Sequence, residues 1–161
     1  MIKHQKTFAI LTLITAFVGQ SFAAEDHSSH HHSHGVTSTI GKPYDASKAT
    51  KVVKVDLVDT MKFEFNEQLN LKEGDIVRFV VTNKGQIDHE FSIGSEKEQK
   101  AHLEAMKKMP DMVHHDGNTI TLKPSETKEL TWKFTKKETV IFACNIPSHF
   151  EAGMYHKTVI K

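Results

Sequence analysis

The sequence predicts an all-β fold, a Greek-key β-sandwich with one helix inserted around residues 96–108. Three observations support this prediction. From about residue 52 onward, short runs alternate apolar and polar side chains, as expected for half-buried strands. Gly, Pro, Asn and Ser residues separate these runs at short intervals. One stretch instead has the three- and four-residue spacing of an amphipathic helix.

The strands are predicted where every second side chain is apolar or where β-branched residues cluster. Val53, Val55 and Leu57 alternate with polar residues, and residues 61–65 do the same. Residues 76–82 form a β-branched run between two turns. The remaining predicted strands cover residues 89–93, 119–122, 129–134, 139–144 and 154–160.

The helix is predicted from its start and stop signals as well as its periodicity. Ser95 followed by Glu98 is a capping box, in which each side chain satisfies a backbone amide of the other. Ala101 and Ala105 then recur at helical spacing, and Pro110 cannot continue the helix. We therefore expect a helix over residues 96–108.

The amino terminus has the pattern of a secretory signal peptide, residues 1–23. Lys3 and Lys6 precede an apolar run at 8–18, and Ser21-Phe22-Ala23 is a small-x-small cleavage site. A membrane anchor is the alternative, but the run is shorter than the roughly 20 residues that a span needs. We expect a periplasmic protein whose mature chain has no membrane span.

Residues 24–50 are polar and lack periodicity, which predicts a disordered tail before a domain at 51–161. The tail is rich in histidine, and an expression tag is the alternative to a natural metal-binding segment. Its candidate auxiliary metal ligands are His30, His31, His32 and His34.

Charge and cysteine content restrict the possible functions. The formal net charge is +1, and it becomes about −1 without the two lysines of the signal peptide. This mixed, near-neutral chain gives no reason to expect a nucleic-acid partner. A single cysteine in an exported protein suggests intermolecular pairing, an inert buried thiol or metal ligation.

Metal ligation is the interpretation that also explains the residues after the cysteine. Cys144, His149 and Met154 are spaced as C-x4-H-x4-M, and His89 opens a predicted strand upstream. Two histidines and a cysteine in a plane, with a distant methionine, form the ligand set of blue-copper electron-transfer sites. The four residues therefore predict one type 1 copper.

These motifs resemble the cupredoxin family of type 1 copper proteins over roughly residues 52–161. The ligand loop is similar to that of rusticyanin and auracyanin, and longer than that of plastocyanin. The stretches Thr60-Met61-Lys62-Phe63 and His89-Glu90-Phe91, with the histidine-rich amino terminus, look closest to periplasmic cupredoxins of copper resistance.

The resemblance also implies roles for neighbouring residues. It implies that His149 is the exit for the electron, in an apolar patch to which Ile146, Pro147 and Phe150 could contribute. Family members often have Asn or Ser after the first histidine ligand. Here Glu90 occupies that position, and hydrogen bonds to the ligands from such neighbouring residues tune a bound metal.

Two other readings of the cysteine loop remain open. Zinc is the main rival metal, but its sites rarely include a thioether. A catalytic Cys144–His149 pair is the enzymatic rival, but the sequence offers no recognisable orienting group or oxyanion arrangement. We therefore expect a protein that is not an enzyme.

A second group of metal-binding side chains follows the helix. Its candidate auxiliary ligands are Met109, Met112, His114 and His115. The alternative is packing on the helix face, which we favour for Met106. His102 and His156 are expected at the surface.

Two functions follow from this set of motifs. One is copper handling and tolerance with Cu(I)/Cu(II) chemistry, which the histidine tail and the Met/His segment favour. The other is a dedicated soluble electron carrier whose redox partner docks near His149. In either case we expect a monomer that binds copper ions.

Overall fold

A computed structural model describes residues 38–161 as ten strands, one α-helix and a short 3-10 helix. The α-helix, α1, spans Glu96–Lys108, and the 3-10 helix spans Ala46–Lys48. The strands are β1 (Gly41–Pro43), β2 (Lys51–Val58), β3 (Lys62–Phe65), β4 (Ile76–Asn83), β5 (His89–Gly94), β6 (His115–Asp116), β7 (Thr119–Leu122), β8 (Thr127–Phe134), β9 (Thr139–Ala143) and β10 (Tyr155–Val159).

The strands form two five-stranded sheets that pack as a β-sandwich. The first sheet has the order β1-β8-β4-β2-β3, and the second has the order β10-β9-β5-β7-β6. The β2–β4 pair is parallel, while the other pairs are antiparallel. The predicted fold class is confirmed.

Aromatic side chains from both sheets fill the space between them. Phe79 of the first sheet contacts Phe91 and Phe142 of the second, each with ring centroids 5.4 Å apart. Phe91 and Phe142 are stacked on neighbouring strands at 5.5 Å. Such pairs stabilise a core beyond the area they bury, so they stabilise the packing of the strands that lead to the functional site.

Strand β5 is buried on both faces, because helix α1 covers the side that points away from the core. Phe91 faces the core, whereas the polar side chains of Glu90 and Ser92 lie in the layer beneath the helix. Gln99 of the helix anchors this layer. Its Nε2 donates to the carbonyl oxygens of Ser92 at 3.2 Å and Ile141 at 2.9 Å.

The helix agrees with its sequence signals in detail. It spans the predicted residues, and both hydrogen bonds of the capping box are present. The Glu98 carboxylate accepts from the Ser95 amide at 2.8 Å, and the Ser95 hydroxyl accepts from the Glu98 amide at 3.4 Å.

Ordered structure begins earlier than the sequence pattern indicated. Residues 38–50 belong to the segment expected to be a disordered tail, yet Gly41–Pro43 pair with β8. Ile40 is fully buried, and a side chain at Gly41 would collide with Trp132. The domain therefore includes these residues, because a few apolar contacts and one strand pairing order a stretch without sequence periodicity.

The remaining predictions for the amino terminus lie outside the described residues. These are the signal peptide and the auxiliary candidates His30, His31, His32 and His34. Within residues 38–161, the helix is too short and too polar to cross a bilayer.

Candidate metal centre

Antiparallel pairing of β5 with β9 brings the predicted ligands to one end of the sandwich. His89 is the first residue of β5, and Cys144 directly follows the last residue of β9. The loop from Cys144 returns to β10, and the Cys144 amide donates to the Met154 carbonyl at 3.0 Å. Both ends of the ligand loop are thereby fixed beside the start of β5.

Three of the four predicted ligands converge on a common point. Ligand atoms of His89, Cys144 and His149 all lie within 4.8 Å of one another. The Cys144 sulfur is 3.3 Å from His149 Nδ1, and the two imidazole rings are 5.1 Å apart between centroids. Met154 is fully buried, and its amide donates to the His149 carbonyl at 3.0 Å, which keeps it next to this group.

His89 is oriented by a carboxylate that no sequence motif indicates. Its Nε2 lies 3.0 Å from Asp59 Oδ1, while its Nδ1 is buried without a hydrogen-bond partner. The carboxylate accepts the Nε2 proton, so Nδ1 carries a lone pair. An orphaned buried lone pair beside a thiol and a second imidazole fits a metal ion that prefers nitrogen and sulfur.

Asp59 is itself held in place by the loop after β4. Its Oδ2 accepts from the Gln86 amide at 2.8 Å. Hydrogen bonds from Gln86 and then from His89 lower the pKa of the Asp59 carboxyl. A Cβ at Gly85 would meet the Asp59 carboxylate, so a larger residue there would displace that carboxylate from its present position.

The Cys144 thiol is fully buried. Burial raises its pKa to about 12, although hydrogen bonds from the amides of Glu90 and Ile146 act in the opposite direction. The metal-free thiol therefore stays protonated at neutral pH, and a metal ion must displace that proton to gain a thiolate ligand.

Two residues of the ligand loop have left-handed backbone conformations. Ser148 has φ of 74° and Gly153 has φ of 100°. They place His149 and Met154 on a tight turn closed by a hydrogen bond from the Ala152 amide to the Ser148 carbonyl at 3.0 Å. Burial lowers the pKa of His149, so its imidazole is neutral and able to ligate at neutral pH.

Glu90 connects the two sides of the site. Its amide donates to the Cys144 sulfur, and its Oε1 accepts from the Asn145 amide and from Asn145 Nδ2, all at 3.2 Å. The carboxylate therefore cross-links β5 to the cysteine loop from the position where the resemblance implies Asn or Ser. Burial raises its pKa to about 7, against a lowering contribution from His114.

Of the auxiliary candidates after the helix, one belongs to a second cluster of metal-binding side chains. His114 lies in a cluster with Glu90 and His102. His115 is exposed and lies outside that cluster, Met109 is exposed, and Met112 is partly buried.

Two helix residues belong to the same region. His102, expected at the surface, has a side chain that is only 17% exposed, and burial lowers its pKa to about 4. Met106 is buried, as the packing interpretation predicted.

Comparison with known proteins shows the family to which this chain belongs. No family model matches the chain. It is 51% identical over 117 residues to the copper-resistant cuproprotein CopI of Vibrio cholerae, covering 73% of this chain and 69% of that protein. It is 41% identical over 149 residues to CopI of Rubrivivax gelatinosus, covering 91% and 90%. The chain belongs to the CopI family of copper-resistant cuproproteins.

Solved structures place this CopI family member in the cupredoxin fold. Auracyanin B matches with a TM-score of 0.59 and 18% identity, over 75% of this chain and 96% of that one. Auracyanin A matches with a TM-score of 0.54 and 20% identity, over 68% and 98%. These structures show the fold, and with the CopI relatives they confirm the resemblance to copper-resistance cupredoxins.

Proposed function

We propose that this protein binds one copper ion through His89, Cys144, His149 and Met154. The observation that carries the proposal is the buried, unpartnered Nδ1 of His89, which faces the sulfur and imidazole of the cysteine loop. A thiol and two imidazoles, with the thioether of Met154 at the end of the same loop, are ligands that copper accepts and that hard cations do not.

Bound copper would supply one-electron chemistry between Cu(I) and Cu(II). The chain's contribution is a rigid set of ligands. The antiparallel β5–β9 pair, the Asp59 hydrogen bond and the tight loop hold His89, Cys144 and His149 relative to one another. A site that is already in place lets copper change oxidation state with little movement of the protein.

We propose that this chemistry serves copper handling and tolerance in the periplasm. Support comes from the CopI relatives, which are named for copper resistance, and from the signal-peptide pattern of residues 1–23.

We also propose that the protein is not an enzyme. The Cys144 sulfur contacts His149, but burial keeps the thiol protonated, which disfavours a nucleophilic role.

A dedicated electron carrier is the second candidate, and one surface feature favours it. His149 is partly exposed beside an aromatic pair, Phe150 and Tyr155, whose rings stack at 5.0 Å. A redox partner could dock on this patch. The two functions share the copper site and differ in whether that patch is needed.

The test is complementation of a strain that lacks this protein. We expect the wild-type gene to restore growth in copper and Cys144→Ser to fail at equal protein level, because the only thiolate ligand is lost. Full tolerance with Cys144→Ser would contradict the proposal.

A Phe150→Ser, Tyr155→Ser variant separates the two functions. Copper handling predicts that this variant remains tolerant, because the pair lies outside the ligand set. Loss of tolerance, with an unchanged copper spectrum, would favour the electron carrier instead.

A further inference from the structure

We propose a second copper site, formed by Glu90, His102 and His114 with the thioether of Met106. It lies beneath helix α1, on the face of β5 opposite to the core. None of its side chains belongs to the first ligand set, so the site does not require copper at Cys144.

The spacing of the donor atoms fits one metal ion. His102 Nε2 and His114 Nε2 are 3.2 Å apart, and Glu90 Oε2 lies 3.7 Å from the first and 3.9 Å from the second. These three atoms form a triangle, and the point equidistant from all three is about 2.1 Å from each atom. Metal–imidazole and metal–carboxylate bonds are also about 2.0 to 2.2 Å long. Small adjustments suffice to admit an ion.

The proton positions also suit a metal ion. His114 Nδ1 lies 2.7 Å from the Asp116 carboxylate, which accepts its proton and leaves a lone pair on Nε2, facing the triangle. A carboxylate behind a ligating histidine is the usual outer partner in metal sites. His102 Nδ1 lies 3.5 Å from the Ser92 hydroxyl, which can accept its proton, and 3.3 Å from Asn145 Nδ2.

Burial makes these groups costly without a ligand. Glu90 is fully buried, and its Oε2 has no hydrogen-bond partner. The side chains of His102 and His114 are 17% and 12% exposed. Buried polar atoms are nearly always hydrogen-bonded, so an orphaned carboxylate oxygen aimed at two imidazole nitrogens indicates a missing cation.

The methionine distinguishes copper from zinc. Met106 Sδ lies 3.4 Å from His114 Nε2, a spacing that two ligands of one ion can have. Zinc sites use imidazole, carboxylate and thiolate, whereas a thioether is a soft ligand suited to Cu(I). The imidazoles and the carboxylate therefore suit Cu(II), and the thioether suits Cu(I).

The experiment counts copper bound by the full chain at a fixed free copper concentration, set with a competing chelator. His102→Gln, His114→Gln is compared with wild type and with His115→Gln, His156→Gln, which removes two histidines outside the cluster. The first variant should hold one copper equivalent fewer than wild type, and the control variant should not. Both should keep the thiolate-to-copper absorption band, which reports an intact fold.

Equal copper content in wild type and the cluster variant would overturn the proposal. Loss of a zinc equivalent without loss of a copper equivalent, in parallel titrations, would overturn the choice of metal. Asp116→Asn keeps the test decisive if the double variant fails to fold, because this side chain is 55% exposed.

Asp116→Asn should lower copper affinity by about 10- to 100-fold at the second site, since it removes the outer partner of His114. An unchanged binding curve would count against the site. A separate result would show that the first site, at Cys144, does not bind copper. In that case Cys144→Ser would leave the copper content and the absorption spectrum of the wild-type chain unchanged, whatever the cluster variant does.

Discussion

The amide of Glu90 donates a hydrogen bond to the sulfur of Cys144 at 3.2 Å, while the Glu90 carboxylate lies beneath helix α1 with His102 and His114. One residue of β5 thus touches both clusters of metal-binding side chains. Because neighbouring residues of a strand point to opposite faces, His89 serves the first cluster and Glu90 the second.

The Asp59–His89 hydrogen bond should control copper affinity. Asp59→Asn keeps the size of the side chain but replaces a strong acceptor with an amide, so the His89 ring loses its fixed proton position. We expect copper affinity at the first site to fall by about 10- to 100-fold, measured by competition with a chelator. Asp88→Asn removes an exposed carboxylate next to His89 and should leave affinity unchanged. Equal effects of the two substitutions would contradict this role of Asp59.

The left-handed conformation of Gly153 should position Met154. Gly153 and Gly74 have φ of 100° and 90°, and each has open space where a Cβ would lie. Gly153→Ala and Gly74→Ala should therefore each cost about 1 to 2 kcal/mol of unfolding free energy, from backbone strain alone. Only Gly153→Ala should also change the colour of the copper protein, because it moves the thioether. A spectrum unchanged by Gly153→Ala would show that the loop geometry does not set the copper environment.

The carboxyl group of Glu98 should make the free energy of unfolding depend on pH under acidic conditions. Burial acts to raise the pKa of its carboxyl, but hydrogen bonds from Ser95, Thr39 and Ser38 outweigh burial, and the pKa lies below its ordinary value of 4.5. The folded state therefore binds fewer protons than the unfolded state near this pH. The stabilisation is complete above about pH 4.5 and is lost as pH falls through the folded pKa.

Urea unfolding between about pH 3 and pH 7 tests this expectation. Glu98→Gln should be less stable than wild type at neutral pH, and the difference should shrink in acid. The control is Glu96→Gln, which neutralises a carboxylate of the same helical turn that is 77% exposed and pairs with the exposed Lys157. A difference between Glu98→Gln and wild type that stays constant with pH would contradict the assignment.

The sequence was sufficient for features that depend on local pattern. Helix α1 follows from the Ser95–Glu98 capping box and the periodicity after it, and both are present in the structure. His89, Cys144 and His149 come together because a strand start and a strand end are adjacent in an antiparallel sheet. Spacing and residue type therefore predicted this group.

Contacts between distant segments could not be predicted in the same way. Asp59 reaches His89 across 30 residues, and no local pattern distinguishes it from other turn aspartates. The Glu90, His102 and His114 cluster joins a strand, a helix and a loop, and it forms only because α1 covers β5. Met109 and His115 are near His114 in sequence, but they are exposed, whereas the side chain of His114 is only 12% exposed.

The most direct test of the copper site is the visible absorption spectrum of the protein titrated with Cu(II), measured beside Cys144→Ser. We expect an intense thiolate-to-copper band that saturates at one equivalent in the wild type and is absent in the variant. Copper uptake without such a band in the wild type would contradict the proposed site at His89, Cys144, His149 and Met154.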